Sequence, residues 1–143
     1  FEFRLVRKLK LVYLIIFILS LNLIWEFSHY RLFIDLTSIP STLHLFIASL
    51  TDLILISSIF LIISVFRKSL NWTENPKKSD YFIIILLGMI IAIIIEIYSL
   101  SKGRWAYTEL MPTVFGIGIS PLIQLFTTAI ISLNLLRLTK ILQ

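Results

Sequence analysis

Three carboxylates lie inside long hydrophobic stretches of the sequence: Glu26, Asp52 and Glu96. An ionisable side chain costs about 2.5–3.5 kcal/mol at the centre of a membrane-spanning helix on insertion scales. Three such groups in one chain therefore predict a shared polar site inside a membrane. A carboxylic acid held there could serve as a general acid or base. Alternatively, each carboxylate only hydrogen-bonds a neighbouring helix and fixes its register.

The polar residues around these carboxylates recur at helical spacing. Asn22, Glu26 and His29 follow an i, i+4, i+7 pattern and share one helix face. We predict that Glu26, His29 and Glu96 form a catalytic acid–base group, in which His29 relays the proton. The predicted binding residues are Asn22, Asp52, Lys102, Arg104, Trp105, Tyr107 and Gln124. Their positions along the spans predict a polar funnel that opens outward.

A metal or cofactor site is not predicted. Glu26-x-x-His29 has the spacing of a di-iron carboxylate bundle, but such a site needs two of these pairs and two further carboxylates. The chain has one pair. It also has no cysteine, which excludes thiolate metal sites and disulfides.

The elements that must position these residues are long apolar helices. Of the 143 residues, 58% are hydrophobic and only 15% are charged, a composition typical of a polytopic membrane protein. Four spans are predicted, each long enough to cross a hydrocarbon layer of about 30 Å. They lie near residues 11–32, 41–66, 81–100 and 111–136. We therefore predict an all-α, integral membrane, four-helix up-down bundle that forms a single transmembrane domain over residues 1–143.

The distribution of Lys and Arg predicts the orientation. Ten of the 13 basic residues fall on one side: Arg4, Arg7, Lys8, Lys10, Arg67, Lys68, Lys77, Lys78, Arg137 and Lys140. Only Arg31, Lys102 and Arg104 fall on the other. The positive-inside rule then places both termini in the cytoplasm of a multi-pass protein of the cell membrane. The positive charge gives no support for nucleic-acid binding, because there is no basic surface with interleaved exposed aromatic residues.

Glycines and prolines mark the fourth span as irregular. We predict that Pro112 starts this helix and that Pro121 kinks it near the middle of the membrane. Gly116 and Gly118 permit close packing or a turn just above the kink. A broken helix that faces a polar cavity is a common way to build a binding site in a membrane.

Two resemblances involve these segments. NLIWE at 22–26, with GRWAY at 103–107, MP at 111–112 and GIGISPLIQ at 116–124, resembles a group of small uncharacterised prokaryotic four-span membrane proteins. The resemblance implies no activity. The stretch from Glu96 to Leu122 is similar to part of the membrane carotenoid hydratases and cyclases, although the chain lacks the Pro-x-Glu-Glu pattern of small-subunit lycopene cyclases. This second resemblance implies that membrane carboxylates protonate or hydrate isoprenoid double bonds.

Three functions follow as hypotheses. The first is a site that binds or acts on a lipid or isoprenoid, with membrane lipids as partners and a head-group phosphate held by Lys102 and Arg104. The second is an accessory or assembly subunit of a larger membrane complex, or a self-associating protein. It would pair through small-residue stripes at Gly88/Ala92 and Gly116/Ser120. The third is a proton- or cation-coupled transporter centred on Asp52 and the Pro121 kink.

Overall fold

The computed structural model describes residues 2–139, with side chains from residue 9 onward. Four long helices make up most of the chain: α1 Glu2–His29, α2 Ser41–Arg67, α3 Lys78–Ser101 and α4 Ile119–Thr139. Short 3-10 turns at Tyr30–Leu32 and Leu70–Glu74 lie in two of the connections. The side chains of Arg4, Arg7 and Lys8, and the whole of Lys140, lie outside the described residues.

Each helix contains a stretch long and apolar enough to cross a membrane. These stretches are Leu9–Leu32, Ser41–Arg67, Lys78–Ser101 and Ile119–Thr139. The prediction of a mostly helical chain with four apolar spans is therefore confirmed. The fourth helix begins at Ile119, eight positions after the start near Met111 that the apolar pattern predicts.

A β-hairpin occupies the segment that was predicted to begin the fourth span. Strand β3 Thr113–Val114 pairs antiparallel with β4 Ile117–Gly118 through a two-residue turn. Phe115 and Gly116 both have positive φ, 51° and 79°, as a type I′ hairpin turn requires. Pro112 therefore precedes a strand and does not start a helix, and the Gly116/Ser120 stripe does not exist as a helical face.

Pro121 does not kink α4, because it is the third residue of the helix. Backbone amides in the first turn have no partner within the helix, so the missing amide of proline is tolerated there. The predicted break near the middle of the span is wrong, and α4 continues from Ile119 to Thr139.

The helices form a ring in which α1 contacts α2 and α4, while α3 contacts α4 and α2. Apolar side chains fill the half of the ring away from the carboxylates. Ile56, Ile59, Ile63, Ile84, Ala129 and Leu133 are fully buried there. Gly88 brings α3 and α4 close together, since a Cβ at this position would lie only 2.9 Å from Phe126 Cβ. The Gly88/Ala92 stripe thus packs inside the chain.

A second two-stranded pairing joins the α1–α2 connection to the α3–α4 connection. Strand β1 Phe33–Asp35, after α1, pairs antiparallel with β2 Trp105–Tyr107, after α3. Gly103, with a φ of 63°, turns the chain from the end of α3 into β2. The register places Phe33 opposite Tyr107 and Asp35 opposite Trp105. This two-stranded sheet holds the two aromatic residues of β2 against the end of the bundle.

Candidate functional site

A cavity of about 460 Å³ lies between the helices and the β1–β2 sheet. Glu26, Asp52 and Glu96 all line it. Apolar side chains from α2 and α3, among them Ala48 and Ala92, form much of its wall. The volume falls in the range of about 300–1,000 Å³ that small-molecule sites occupy. The three carboxylates that the sequence singles out therefore share one space.

Gln124 of α4 connects two of the carboxylates. Its Nε2 donates to Glu26 Oε1 at 2.7 Å and to Asp52 Oδ2 at 2.7 Å. A third acceptor, Asn22 Oδ1, lies 3.3 Å away. Because an amide nitrogen carries two hydrogens, the two short bonds satisfy it. One uncharged side chain thus holds α1 and α2 to α4 through their acids.

Asn22 supports this network from below and does not line the cavity. It is fully buried, and its Nδ2 donates to Ile18 O at 2.9 Å. The hydroxyl of Thr128, which has one hydrogen to donate, lies 2.9 Å from Gln124 O and 3.3 Å from Asn22 Oδ1. Asn22 therefore positions Gln124, whereas the sequence predicted that Asn22 contacts the ligand.

Glu26 and His29 form an acid–base pair on one face of α1. His29 Nε2 lies 3.3 Å from Glu26 Oε2, and His29 Nδ1 lies 2.7 Å from Ser120 Oγ. Trp25 Nε1 also donates to Ser120 Oγ, at 3.3 Å. When His29 Nε2 carries the hydrogen and donates to Glu26, Nδ1 is free to accept from the Ser120 hydroxyl. A proton can therefore pass between Glu26, His29 and Ser120. Sequence reasoning missed Ser120 as a partner, because it assigned this residue to a helical stripe.

Glu96 is attached to the β1–β2 sheet. Its Oε2 accepts a bond of 3.3 Å from Trp105 Nε1 and a short one from Tyr107 Oη. Burial and the bond to Glu96 raise the pKa of the Tyr107 phenol well above its usual value, so this group remains a donor. Trp105 lines the cavity, whereas Tyr107 does not line it and contacts it through Glu96. Glu96 is 4% exposed.

Arg104 and Lys102 differ in position. Arg104 lines the cavity, and within the described part of the chain its side chain makes no ion pair or hydrogen bond. Lys102 is exposed at the end of α3 and does not line the cavity. The predicted head-group contact is thus available to one of these two cations.

A second acid–base pair at the mouth was not predicted. Asp35 and His44 both line the cavity and form a short contact between Oδ2 and Nδ1. Thr37 donates to Asp35 Oδ1 from its backbone at 2.9 Å and from its hydroxyl at 2.6 Å. Burial raises the pKa of Asp35, but the hydrogen bonds from His44 and Thr37 outweigh it and leave the pKa below its usual value. Asp35-x-Thr37, a common side-chain turn, was the available signal.

The polar residues at the far end of the bundle have structural partners. Asp80 accepts from Lys77 N at 2.7 Å at the start of α3 and lies 3.7 Å from Arg67 Nε. Tyr81 donates to Asn134 Oδ1 at 2.9 Å. These contacts tie helix ends together and are separated from the cavity by the apolar half of the bundle.

Among the described residues, no group of three or more His, Cys, Asp or Glu side chains is placed to hold a metal ion. The fold and site together define a helical protein whose four apolar helices surround a polar, acid-lined cavity. Comparisons with known protein families, curated proteins and solved structures find no match.

Proposed function

We propose that the chain is a multi-pass protein of the cell membrane whose four helices cross in alternating directions, with both termini in the cytoplasm. Arg31, Lys102 and Arg104 are the basic residues at the β1–β2 end, while the majority lie toward the opposite end. The bias supports this orientation through the positive-inside rule. The cavity then faces the outer half of the membrane.

Within this frame, the function that the geometry supports best is the binding of a lipid or isoprenoid. The observation that carries the proposal is the 460 Å³ cavity, which combines apolar walls with carboxylates and one unpaired Arg. An apolar chain fits the walls, and a polar end fits the acids at the rim and floor.

The same site is equipped for acid–base chemistry on its occupant. Glu26 faces the cavity and its second oxygen contacts His29, which continues to Ser120. A carboxylic acid at this position could deliver a proton to a double bond and recover it through the imidazole. Glu96, held by two donors from β2, would stabilise positive charge that develops nearby.

The alternative functions receive less support. For a subunit role, the Gly88/Ala92 stripe packs against α4 of the same chain, and Gly116 lies in a hairpin. For transport, a path toward the cytoplasm would have to cross a layer of fully buried apolar side chains that includes Ile56, Ile59 and Leu133.

The proposal is tested by what the purified chain carries. We expect a lipid or isoprenoid to co-purify in mild detergent and to be identified by mass spectrometry after solvent extraction. Ala48→Trp places a large ring in the cavity wall and should remove this molecule. Leu50→Trp is the matched control, because Leu50 lies on the same helix and is 49% exposed.

Two results would contradict the proposal. One is a folded chain that carries no amphiphile above the level of the detergent belt. The other is equal retention by Ala48→Trp and Leu50→Trp, which would place the molecule on the outer surface of the helices.

A further inference from the structure

We propose, on the basis of the function proposed above, that the occupant's head group carries a protonated primary amine beside a phosphate, as in an aminophospholipid. Several polar atoms of the cavity already have partners. The donors of Gln124, Trp105 and His29 are all used within the chain. Among the described residues, what remains available is the Glu96 carboxylate, the hydroxyls of Tyr30, Ser41 and Ser99, and the Arg104 cation.

Two of these free groups lie together on α3. Glu96 Oε1 makes no hydrogen bond with any described residue, since both donors from β2 reach Oε2. Ser99, three residues along the helix, is 1% exposed, lines the cavity and has an unpartnered hydroxyl. Residues three apart face the same side of a helix about 5–6 Å apart. A hydroxyl that has no protein partner and is open to the cavity, beside a carboxylate oxygen, suits a ligand that donates more than one hydrogen.

An ammonium group meets that need better than a hydroxyl. It carries three N–H donors and a charge that the Glu96 carboxylate would neutralise. Aromatic side chains complete the surroundings: Tyr30, Phe33 and Trp105 line the same cavity. Phe33 and Trp105 meet edge to face, with ring centroids 6.1 Å apart at 89°, and the face of an aromatic ring that lines the cavity attracts a cation.

The unpaired cation lies next to these acceptors. The backbone amide of Arg104 donates to Ser99 O at 3.0 Å. Arg104 is therefore adjacent to the residue that carries the free hydroxyl. Its guanidinium has no protein partner in the described residues and is suited to two parallel bonds with a phosphate. A head group with adjacent phosphate and ammonium would use both unpaired features at once.

The other charged groups at the cavity already have partners or lie deeper. Glu26 has both oxygens in contact with Gln124 and His29. Asp35 is held by His44 and Thr37 at the mouth. Asp52 lies at the floor, where its side chain contacts Gln124 and Glu26.

The test compares single-chain lipids of equal tail length that differ in the head group. The full chain in detergent micelles is titrated with lysophosphatidylethanolamine and with lysophosphatidic acid, and binding is read by native mass spectrometry. We expect the amine-bearing lipid to bind about tenfold more tightly, as one charge-assisted hydrogen-bonded contact would give. Equal binding, or a preference for lysophosphatidic acid, would overturn the inference.

Variants assign the preference to residues. Glu96→Gln should remove the preference for the amine, and Arg104→Gln should weaken both phosphate lipids together. Ser99→Ala keeps the carboxylate and should reduce the preference in part, which serves if Glu96→Gln does not fold. Glu109→Gln removes an exposed carboxylate outside the cavity and should change nothing. An unchanged preference in both Glu96→Gln and Ser99→Ala would contradict the assignment.

A third lipid separates hydrogen bonding from cation–π contact. Lysophosphatidylcholine has the charge without N–H donors, so binding as tight as that of the primary amine would overturn the roles of Glu96 and Ser99. Failure of the inference is distinguishable from failure of the proposed function. Equal binding of all three lipids that Ala48→Trp blocks leaves the cavity as an amphiphile site, whereas no binding by any of them contradicts both.

Discussion

Loss of the Gln124 amide should destabilise the bundle, because this side chain joins three helices. Gln124→Leu keeps an apolar body of similar size and removes the donor shared by Glu26 and Asp52. Both lost bonds are 2.7 Å long and have acidic partners. A hydrogen bond to a charged group contributes about 1.5–3 kcal/mol in soluble proteins, but helix–helix bonds in membranes average about 0.6 kcal/mol, with a maximum of about 1.7. Two bonds near that maximum give an expected loss of about 2–3 kcal/mol.

The assay is reversible unfolding in mixed micelles with increasing SDS, followed by far-UV circular dichroism. Thr128→Val is the control on the same helix. Its hydroxyl already bonds to Gln124 O at 2.9 Å, and its contact with Asn22 is 3.3 Å long. We expect that control to cost less than about 1 kcal/mol, because backbone bonding within one helix adds little between helices.

A double-mutant cycle makes the reasoning refutable. Asp52→Leu removes one of the acids that Gln124 satisfies, so the second substitution should cost less in the background of the first. We expect a coupling free energy of at least about 1 kcal/mol. If the losses of stability of the two single variants add to that of the double variant within about 0.5 kcal/mol, the shared amide does not hold the helices together.

Two further predictions concern other contacts. Gly88→Ala should cost about 1–2 kcal/mol in the same unfolding assay, because overpacking against Phe126 exceeds the gain in helix propensity; a variant of native stability would contradict the close approach of α3 and α4. The pKa of Asp35 lies below its usual value, so its bonds to His44 and Thr37 should stabilise the fold at pH 6. This contribution should be lost as the pH falls below about 4 and through the pKa of Asp35 in the folded state. Thermal unfolding of the native chain and of Asp35→Asn across this range should therefore converge at low pH, and a constant difference between them would contradict the assignment.

The long apolar runs predict the four helices, because only helices satisfy their own backbone in a membrane. Periodicity also places Glu26 and His29 on one face, since they are three positions apart along α1. The shared cavity is less direct: it depends on which helices are neighbours, and the polar stripes could indicate it because isolated acids are costly in lipid.

What the pattern could not predict involves short segments and distant partners. Residues 111–118 are apolar enough to extend a span, yet Gly116 and the two strands around it form a hairpin. A hydropathy pattern carries no information on a type I′ turn with Phe115 at its first position. The pair Asp35 and His44 was missed for a different reason: one lies in a strand and the other in a helix, so no single periodicity relates them.

The bond from Trp105 to Glu96 has a practical consequence. An indole whose N–H is held by a carboxylate changes its emission when that bond or the nearby polarity changes. The chain has three tryptophans, and the other two, Trp25 and Trp72, bond to serine hydroxyls away from Glu96. A chain with phenylalanine at those two positions would therefore carry a single fluorophore at the rim of the cavity. Its spectrum would report the arrival of an occupant without any added label.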